Sequence, residues 1–372
     1  MNSTLMHLIA LISKEFLALM KDRRSRIMLI GPPLIQLLLF GYAATFELKN
    51  IPYAVFNEDH GQYARQLEAV FEGAPVFHRV ATLTSSDQIA PLLDQRQALL
   101  VLHISQRFSA DLLSGQSGAM QIIVDGRNSN SAMIALNYCR TMVDQFNLNW
   151  RQAQGLPGLP ARLETRAWFN PSLESRWFFV PGIIGMLALI TAMLVTALTI
   201  AREREQGTFD QLLVTPLRPF EILLGKTLPG FVIGMLQGTL ILLASTLWFK
   251  VPLLGSLGAL YVGLALFLLS GVGVGLLISS LASTQQQGLL GGFMFMVPAI
   301  ILSGFATPIA NMPPLVQAIT RINPLRYFLV VLRKVFLEGA SFDVLGEPLW
   351  SMAAIGTTAL LLAGWLFRRR MY

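Results

Sequence analysis

Long apolar segments alternate with short charged segments along this chain, and one long polar stretch interrupts them. Each apolar segment has about the 20 residues that a helix needs to cross the ~30 Å hydrocarbon core of a bilayer. The pattern therefore predicts an α-helical polytopic membrane protein with six transmembrane helices. The six apolar segments cover residues 27–46, 177–200, 227–249, 255–281, 288–309 and 349–367.

The first 26 residues have a different periodicity, that of an amphipathic helix. His7, Lys14 and Glu15 lie off its apolar stripe. A helix with one apolar face is better suited to lying at a membrane surface than to spanning the bilayer. We therefore expect residues 1–26 to form an interfacial helix. The stripe consists of Leu5, Leu8, Ile12, Phe16 and Leu19.

The long polar stretch, residues 47–176, holds 11 Lys and Arg and 12 Asp and Glu, and is typical of an inserted globular domain. Strands that alternate with helices indicate a small α/β domain. A linker at 155–160 and a last strand at 162–168 are predicted to lead back to the membrane. The other predicted strands are 51–56, 76–80, 98–104 and 120–124, and the predicted helices are 62–71, 86–94, 108–113 and 130–154.

Composition and charge agree with the membrane assignment and add an orientation. The chain is 53% hydrophobic and 13% charged, whereas about a quarter of the residues of soluble proteins are charged. The net charge is +7, and cytoplasmic loops carry an excess of Lys and Arg. An inside N-terminus puts twelve of these residues on cytoplasmic segments and five on outer ones. We therefore predict cytoplasmic termini, an extracytoplasmic domain at 47–176 and no nucleic-acid partner.

One basic group departs from this charge distribution. Arg321, Arg326, Arg333 and Lys334 fall on the predicted outer side. They lie in a stretch where apolar and basic residues mix, which is unlike a free loop. We expect residues 310–346 to form a partly embedded outer hairpin.

The most charged segment between two spans covers residues 201–220. Gly207 and Thr208 interrupt the chain after the second span, and Thr208 with Gln211 has the spacing of a capping box. Pro219 suits the first turn of the next helix. These features predict a short polar helix at the water surface, well placed to contact a soluble partner.

The interiors of the predicted spans contain no Asp, Glu, Lys, Arg or His. Ion-coupled transporters normally use ionisable groups at that depth, so this composition disfavours such a transporter. Small residues at helical spacing allow helices to approach closely, and two glutamines add uncharged polar groups. Helix packing is the simpler interpretation of these small and polar residues, and lining of a substrate path is the alternative. The residues concerned are Gln36, Gly230, Gly234, Gln237, Gly238, Gly271 and Gly275.

Motifs for catalysis are absent from the sequence. The tripeptide at 225–227, Gly-Lys-Thr, imitates the end of a phosphate-binding loop, but Phe220 stands where that motif needs its first glycine. The four histidines lack the spacing of a zinc site. We therefore expect no enzyme activity and no cofactor or metal bound by this chain.

Several short motifs resemble those of one family. The runs REREQGT at 202–208 and LLVTP at 212–216 resemble the signature of type-2 ABC exporter permeases. Short pieces at 302–304, 312–313 and 323–324, with sequences LSG, MP and NP, are similar to the family's final outer hairpin. The segments DGRNSN at 125–130 and STQQQ at 283–287 resemble its bacterial multidrug-type members. The resemblance covers essentially the whole chain.

This resemblance implies a type-2 ABC exporter fold in the bacterial inner membrane, surrounded by membrane lipid, with the domain at 47–176 in the periplasm. It implies a cytoplasmic ABC ATPase subunit, which would bind ATP and magnesium. A second permease would complete a homodimer or heterodimer, and a periplasmic adaptor protein is a further candidate partner. Residues 201–220 would be the coupling helix that docks on the ATPase, although membrane topology alone also explains its arginines. The coupling residues would be Arg202, Glu203, Arg204, Glu205, Gly207, Thr208, Gln211 and Leu212.

Three classes of function follow from these patterns. The first is the permease subunit of an ATP-driven exporter with a drug-like or amphiphilic substrate, with lipid or polysaccharide as alternative cargoes. The second is an ion-coupled secondary transporter or channel, which the apolar spans disfavour. The third is a membrane-anchored assembly or sensor protein, for which six packed spans are more than an anchor needs.

Overall fold

The structure is a computed structural model that describes residues 3–21, 23–43, 48–156, 168–171, 174–208 and 218–370. Its contacts divide the chain into two units, Thr45–Arg166 and a second unit made of Met1–Ala44 with Ala167–Tyr372. Each unit has a hydrophobic core of its own.

The helices and strands of the described residues are numbered in chain order. They are α1 (Ser3–Lys21), α2 (Arg23–Ala43), β1 (Ile51–Asn57), α3 (Gln62–Glu72), β2 (Phe77–Leu83), α4 (Ile89–Asp94), β3 (Leu100–Ile104), α5 (Phe108–Leu113), β4 (Met120–Val124), α6 (Ser129–Ala153), α7 (Arg176–Glu205), α8 (Pro219–Leu243), α9 (Leu257–Leu281), α10 (Gln285–Ile301), α11 (Pro314–Ile319), α12 (Pro324–Arg333) and α13 (Gly346–Arg370).

The unit Thr45–Arg166 is built on a four-stranded sheet in the order β2-β1-β3-β4. The central strand β1 pairs in parallel with β2 and β3, and β4 is antiparallel to β3. These strands and the helices between them occur in the predicted order, with ends shifted by up to three residues. Most of the predicted linker at 155–160 and last strand at 162–168 lies outside the described residues. An extracytoplasmic location for this unit stays a prediction.

A buried carboxylate, Asp59, holds the chain beyond the carboxyl end of β1. It accepts backbone hydrogen bonds from Gly61 at 2.7 Å and from Ser109 at 2.5 Å, which ties the start of α3 to the first turn of α5. Burial opposes ionisation of Asp59, but the hydrogen bonds from Ser109 and Gly61 hold its pKa below the usual range. The stability that this lowered pKa contributes is therefore present at neutral pH and is lost as the pH falls through it.

The second unit is a helical bundle. Four of its described helices are long and apolar enough to cross a membrane: Arg176–Glu205, Phe220–Trp248, Leu257–Leu281 and Gly346–Arg369. The pair Pro314–Ile322 and Pro324–Glu338, bent by 84°, makes a fifth span if the two helices count as one. This bent pair lies within the predicted outer hairpin at 310–346.

Two predicted spans, 27–46 and 288–309, fall on helices that are not among those four. Helix α10 has 17 residues and is therefore about 25 Å long, shorter than the ~30 Å of hydrocarbon. Helix α2 begins at Arg23, four residues before the apolar run, and residues 44–46 lie outside the described ranges. The count of six spans thus stays a prediction, with four or five supported by helix length and composition.

The glycines singled out in the sequence lie where α7, α8 and α9 approach each other. A Cβ on Gly234 would lie 2.7 Å from Leu268 Cδ2, and a Cβ on Gly275 would lie 2.7 Å from the Met193 carbonyl oxygen. A Cβ on Gly230, Gly238 or Gly271 would likewise lie under 3.0 Å from a side chain of a neighbouring helix. The absence of side chains at these positions sets the close spacing of the three helices.

We predict that Gly275→Ala lowers the melting temperature of the detergent-purified protein. The added methyl would press on the backbone of α7, and overpacking of a filled core costs about 1–3 kcal/mol. Gly364→Ala is the matched control, because its Cβ would lie at an ordinary 3.7 Å from Leu223 Cδ1. Equal melting temperatures for Gly275→Ala and the unmodified protein would contradict the packing role.

Candidate functional site

Four charged side chains from three helices meet near the end of α7 and the start of α8. Lys226 Nζ lies 2.9 Å from Glu15 Oε1 and 3.3 Å from Glu203 Oε1. Lys14 Nζ lies 3.0 Å from the same oxygen of Glu203. These residues, Lys14, Glu15, Glu203 and Lys226, are termed the charge cluster below. It joins α1 to α7 and α8.

The local sequence of α1 and α8 explains how Glu15 reaches Lys226. Leu11 and Glu15 are four residues apart and therefore share a face of α1. A Cβ on Gly225 would lie 2.5 Å from Leu11 Cδ2, so the absence of a side chain at Gly225 lets α1 lie against α8. This close approach brings the carboxylate of Glu15 to the ammonium group of Lys226, the residue that follows Gly225.

The charge cluster is largely shielded from solvent. The side chain of Lys226 is 0% exposed and those of Glu203 and Glu15 are 9% and 11% exposed, whereas Lys14 is 56% exposed. A buried ammonium group is tolerated only with close partners, and here two carboxylates supply them. Desolvation offsets much of the attraction in such a pair, but removal of one partner costs about 3–5 kcal/mol. The charge cluster therefore requires Glu15 of α1 and Glu203 of α7 to lie beside Lys226 of α8.

Helix α7 ends at Glu205, two residues after Glu203, in a glycine-dependent turn. Gly207 has a left-handed φ of 69°, its amide donates to the Arg204 carbonyl at 3.1 Å and the Thr208 amide donates to the Glu203 carbonyl at 3.0 Å. This is the hydrogen-bond pattern of a Schellman C-cap. The hydroxyl of Thr208 also donates to the carboxylate of Glu203. The turn directs the chain out of α7 towards residues 209–217, which lie outside the described ranges.

The remaining charges at the end of α7 hold the corner between α9 and α10. Arg204 donates to the carbonyls of Ser280 and Ala282 at 2.9 and 3.2 Å, at the C-terminal end of α9. The carboxylate of Glu205 accepts from the backbone amide of Gln285 at 2.9 Å, at the first turn of α10. A cation at a helix C-terminus and an anion at an N-terminus are the favourable placements for a helix dipole.

The predicted coupling residues therefore divide into two sets. Glu203, Arg204 and Glu205 have partners within the chain, and Arg202 donates to Gln285 Oε1 at 3.4 Å. Gln211 and Leu212, with the short helix predicted to begin at Thr208, lie outside the described residues. Contact of this segment with an ATPase stays a prediction.

Sequence reasoning missed that Lys14, Glu15 and Lys226 belong to one site. It counted both lysines only as cytoplasmic charges and began the third span at residue 227. The helix begins at Pro219, so Lys226 lies about two turns inside it. A lone lysine between Gly225 and an apolar run was the available signal, whereas a contact across 211 residues with Glu15 leaves no local pattern.

An exposed aromatic follows the segment 209–217. Phe220, in the first turn of α8, is 71% exposed, and Arg218 beside it is exposed. The start of the helix is fixed independently of these side chains, because the Arg218 amide donates to Glu221 Oε2 at 2.8 Å and Pro219 occupies the first turn. Among the described residues, Phe220 is therefore an exposed aromatic side chain at the start of α8.

The two glutamines at depth differ in burial. Gln36 in α2 is half-buried. Gln237 in α8 is 6% exposed, and neither atom of its amide has a hydrogen-bond partner among the described residues. A buried amide without a partner costs about 1–3 kcal/mol, so Gln237 is a polar group that packing alone does not account for.

Comparison with known proteins gives matches over nearly the whole chain. Residues 23–365 match the model of a family described as ABC-2 family transporter protein. The chain is 41% identical over 361 residues to the probable multidrug ABC transporter permease YbhR of Escherichia coli K12, covering 97% of this chain and 98% of that protein. Identity to the probable multidrug ABC transporter permease YbhS of the same strain is 32% over 341 residues, with coverage of 89% and 88%. Identity to the linearmycin resistance permease protein LnrN of Bacillus subtilis is 24% over 367 residues, with coverage of 91% and 94%.

We predict that Lys226→Met loosens α1 and raises its amide hydrogen exchange at least tenfold. The change leaves Glu15 and Glu203 buried without their shared cation, at a cost of about 3–5 kcal/mol. Hydrogen–deuterium exchange with mass spectrometry of residues 3–21 measures this directly.

Two variants control this experiment. Lys21→Met removes an exposed lysine of α1 that has no ion pair with the described residues, and should leave exchange unchanged. Adding Glu15→Gln and Glu203→Gln to Lys226→Met should recover part of the protection, because no unpaired buried carboxylate remains. Unchanged exchange in Lys226→Met would show that the cluster does not hold α1.

Proposed function

The chain belongs to the ABC-2 transporter family, and from this premise we propose that it is the membrane-spanning permease subunit of an ATP-driven exporter. Family membership implies pairing with an ABC ATPase, and ATP with magnesium would bind to that separate subunit. The observation that carries the proposal is the charge cluster. It connects α1 to Glu203 and Lys226, the residues on either side of 204–225, and this stretch holds most of the predicted docking segment at 201–220.

The charge cluster suggests how a displacement of the docked ATPase would be transmitted to the helical bundle. Glu203 lies near the start of the predicted coupling segment at 201–220 and Lys226 follows its end, and each forms an ion pair with α1. A displacement of the coupling helix would therefore move α1, α7 and α8 together. Arg204 and Glu205 would carry the displacement to the corner between α9 and α10. Such a motion would switch the bundle between inward-facing and outward-facing states.

A drug-like or amphiphilic molecule is the cargo that we propose. Support comes from the names of two relatives, which are called multidrug permeases, and of a third, which is called a linearmycin resistance permease. The unpartnered amide of Gln237, buried among apolar helices, suits a mostly apolar cargo with few polar groups. Export of lipid or polysaccharide remains the alternative.

The complete exporter would contain a second permease, either another copy of this chain or a homologue, and we propose a periplasmic adaptor as a further partner. We place the complex in the bacterial inner membrane, with cytoplasmic termini and a periplasmic domain at 47–176. The excess of Lys and Arg on the predicted inner segments supports this orientation.

We predict that a tag inserted after Gly155 can be labelled from outside the inner membrane, whereas a tag after Tyr372 cannot. Impermeant labelling of spheroplasts measures both, and permeabilised spheroplasts show that each tag is reactive. Labelling of the Tyr372 tag in intact spheroplasts would overturn the proposed orientation and with it the cytoplasmic docking surface.

We predict that an ABC ATPase co-purifies with the chain from native membranes in mild detergent, and that Phe220→Ala lowers its retention about tenfold. Exposed aromatic side chains often dominate protein interfaces, and their removal costs about 1–3 kcal/mol. Quantitative mass spectrometry of the purified complex measures the ratio of ATPase to permease.

The matched control is Phe342→Ala, which removes another exposed phenylalanine of the same unit, 47% exposed. It should leave ATPase retention unchanged. Equal retention with Phe220→Ala would remove Phe220 from the docking surface. Absence of any ATPase, together with solute movement along an ion gradient in proteoliposomes, would favour the ion-coupled alternative over the exporter.

A further inference from the structure

The four basic residues of the predicted outer hairpin form no ion pair within the part of the chain that the structure describes. Arg321, Arg326, Arg333 and Lys334 lie in the bent helix pair Pro314–Ile322 and Pro324–Glu338. None of the four forms an ion pair with a carboxylate of the described residues. Their positive charge is therefore available to an anion from outside the chain.

Arg333 is half-buried and is held by two contacts. Its Nη2 donates to the Gly304 carbonyl at 3.1 Å, and its guanidinium carbon lies 4.4 Å from the centre of the Phe178 ring. The same phenylalanine stacks on Phe305 at 6.1 Å. A guanidinium held against a ring is oriented and partly desolvated, and it keeps several N–H donors for a further acceptor. Arg333 is thus prepared to bind a phosphate or carboxylate group.

Arg326 extends this site along one face of α12. It lies seven residues before Arg333, which is about two helical turns or ~10 Å on the same face. The opposite face of the helix is buried in the bundle through Leu325, Phe328 and Leu332. Arg326 and Arg333 are both half-buried. Arg326 Nη1 donates to the Thr320 hydroxyl, and its guanidinium carbon lies 5.7 Å from the centre of the Tyr327 ring, so this guanidinium is also held in place and keeps further N–H donors for an anion.

The preceding helix offers apolar surface beside these cations. Leu315, Ile319 and Ile322 are 75%, 47% and 72% exposed, and Arg321 between them is exposed as well. Apolar side chains on an amphipathic segment at a membrane surface contact acyl chains, while neighbouring cations contact anionic headgroups. An acidic protein surface would match the charges but would leave these apolar side chains in water.

We propose that the bent helix pair is a binding site for an anionic phospholipid. The phosphate lies between Arg326 and Arg333, and the acyl chains lie on Leu315, Ile319 and Ile322. The lipid neutralises the cations and holds the bend against the membrane surface. This inference depends on the membrane location of the chain and not on the identity of the ATPase or cargo.

The test is lipid retention by the purified chain, measured by native mass spectrometry. The protein is titrated with phosphatidylglycerol and with phosphatidylcholine of the same acyl chains. We expect preferential retention of phosphatidylglycerol, and a loss of roughly 20-fold in that preference in the variant Arg326→Gln/Arg333→Gln, since each basic residue near an anionic membrane contributes about a fivefold factor. Retention of phosphatidylcholine should not change.

Three controls make the outcome decisive. Arg369→Gln removes a cation that lies 4.5 Å from the ring of Trp365, and it should keep the lipid preference; an equal loss would reduce the effect to general surface charge. Arg321→Gln/Arg326→Gln leaves the packed Arg333 in place, so it should lose part of the preference even where the Arg333 variant fails to fold. If inorganic phosphate or an acidic peptide displaces the bound phosphatidylglycerol, the site binds that ligand and the lipid proposal is overturned. An unchanged lipid ratio in both arginine double variants would overturn the proposal.

Discussion

The packing of α1 against α7 and α8 depends on one constraint, the buried ammonium group of Lys226. A side chain that is 0% exposed and positively charged cannot stay in an apolar helix without partners. Its two carboxylates come from two other helices: Glu15 in α1 is 211 residues away along the chain, and Glu203 in α7 is 23 residues away. Any arrangement that separates these helices leaves a buried charge unpaired, so the electrostatics select one relative position of α1, α7 and α8.

Close backbone approach makes this electrostatic contact possible. Gly225 admits Leu11 beside Lys226, and Gly230 and Gly234 continue the same helix with close contacts to α7 and α9. Ion pairing and glycine packing therefore act on α8 together, one at its start and the other along its length. A helix positioned by both is well suited to move as a rigid body, which is what transmission from a docked ATPase requires.

The sequence predicted elements better than it predicted contacts. The strands and helices predicted between residues 51 and 154 lie within three residues of the elements in the described part of that unit, because short strands and turn residues are local signals. Span boundaries were less accurate, since hydropathy marks the apolar part of a helix and α7 and α8 continue beyond it to Glu205 and from Pro219. The part of α1 in the charge cluster could not be predicted, because Lys14 is 189 residues from Glu203 and Glu15 is 211 residues from Lys226 and no local pattern links them.

The same reasoning explains why the two unusual basic groups of this chain differ. Lys226 lies in a buried helix, where only carboxylates of the same chain can neutralise it, and two are present. Arg326 and Arg333 are half-buried, donate to the Thr320 hydroxyl and the Gly304 carbonyl, and form no ion pair with a carboxylate of the described residues. A membrane protein can leave such cations without an internal counter-ion because the surrounding lipid carries anions. Ion pairs within the chain therefore hold the bundle together at the charge cluster, while the arginines that lack an ion pair connect the bent helix pair to the membrane.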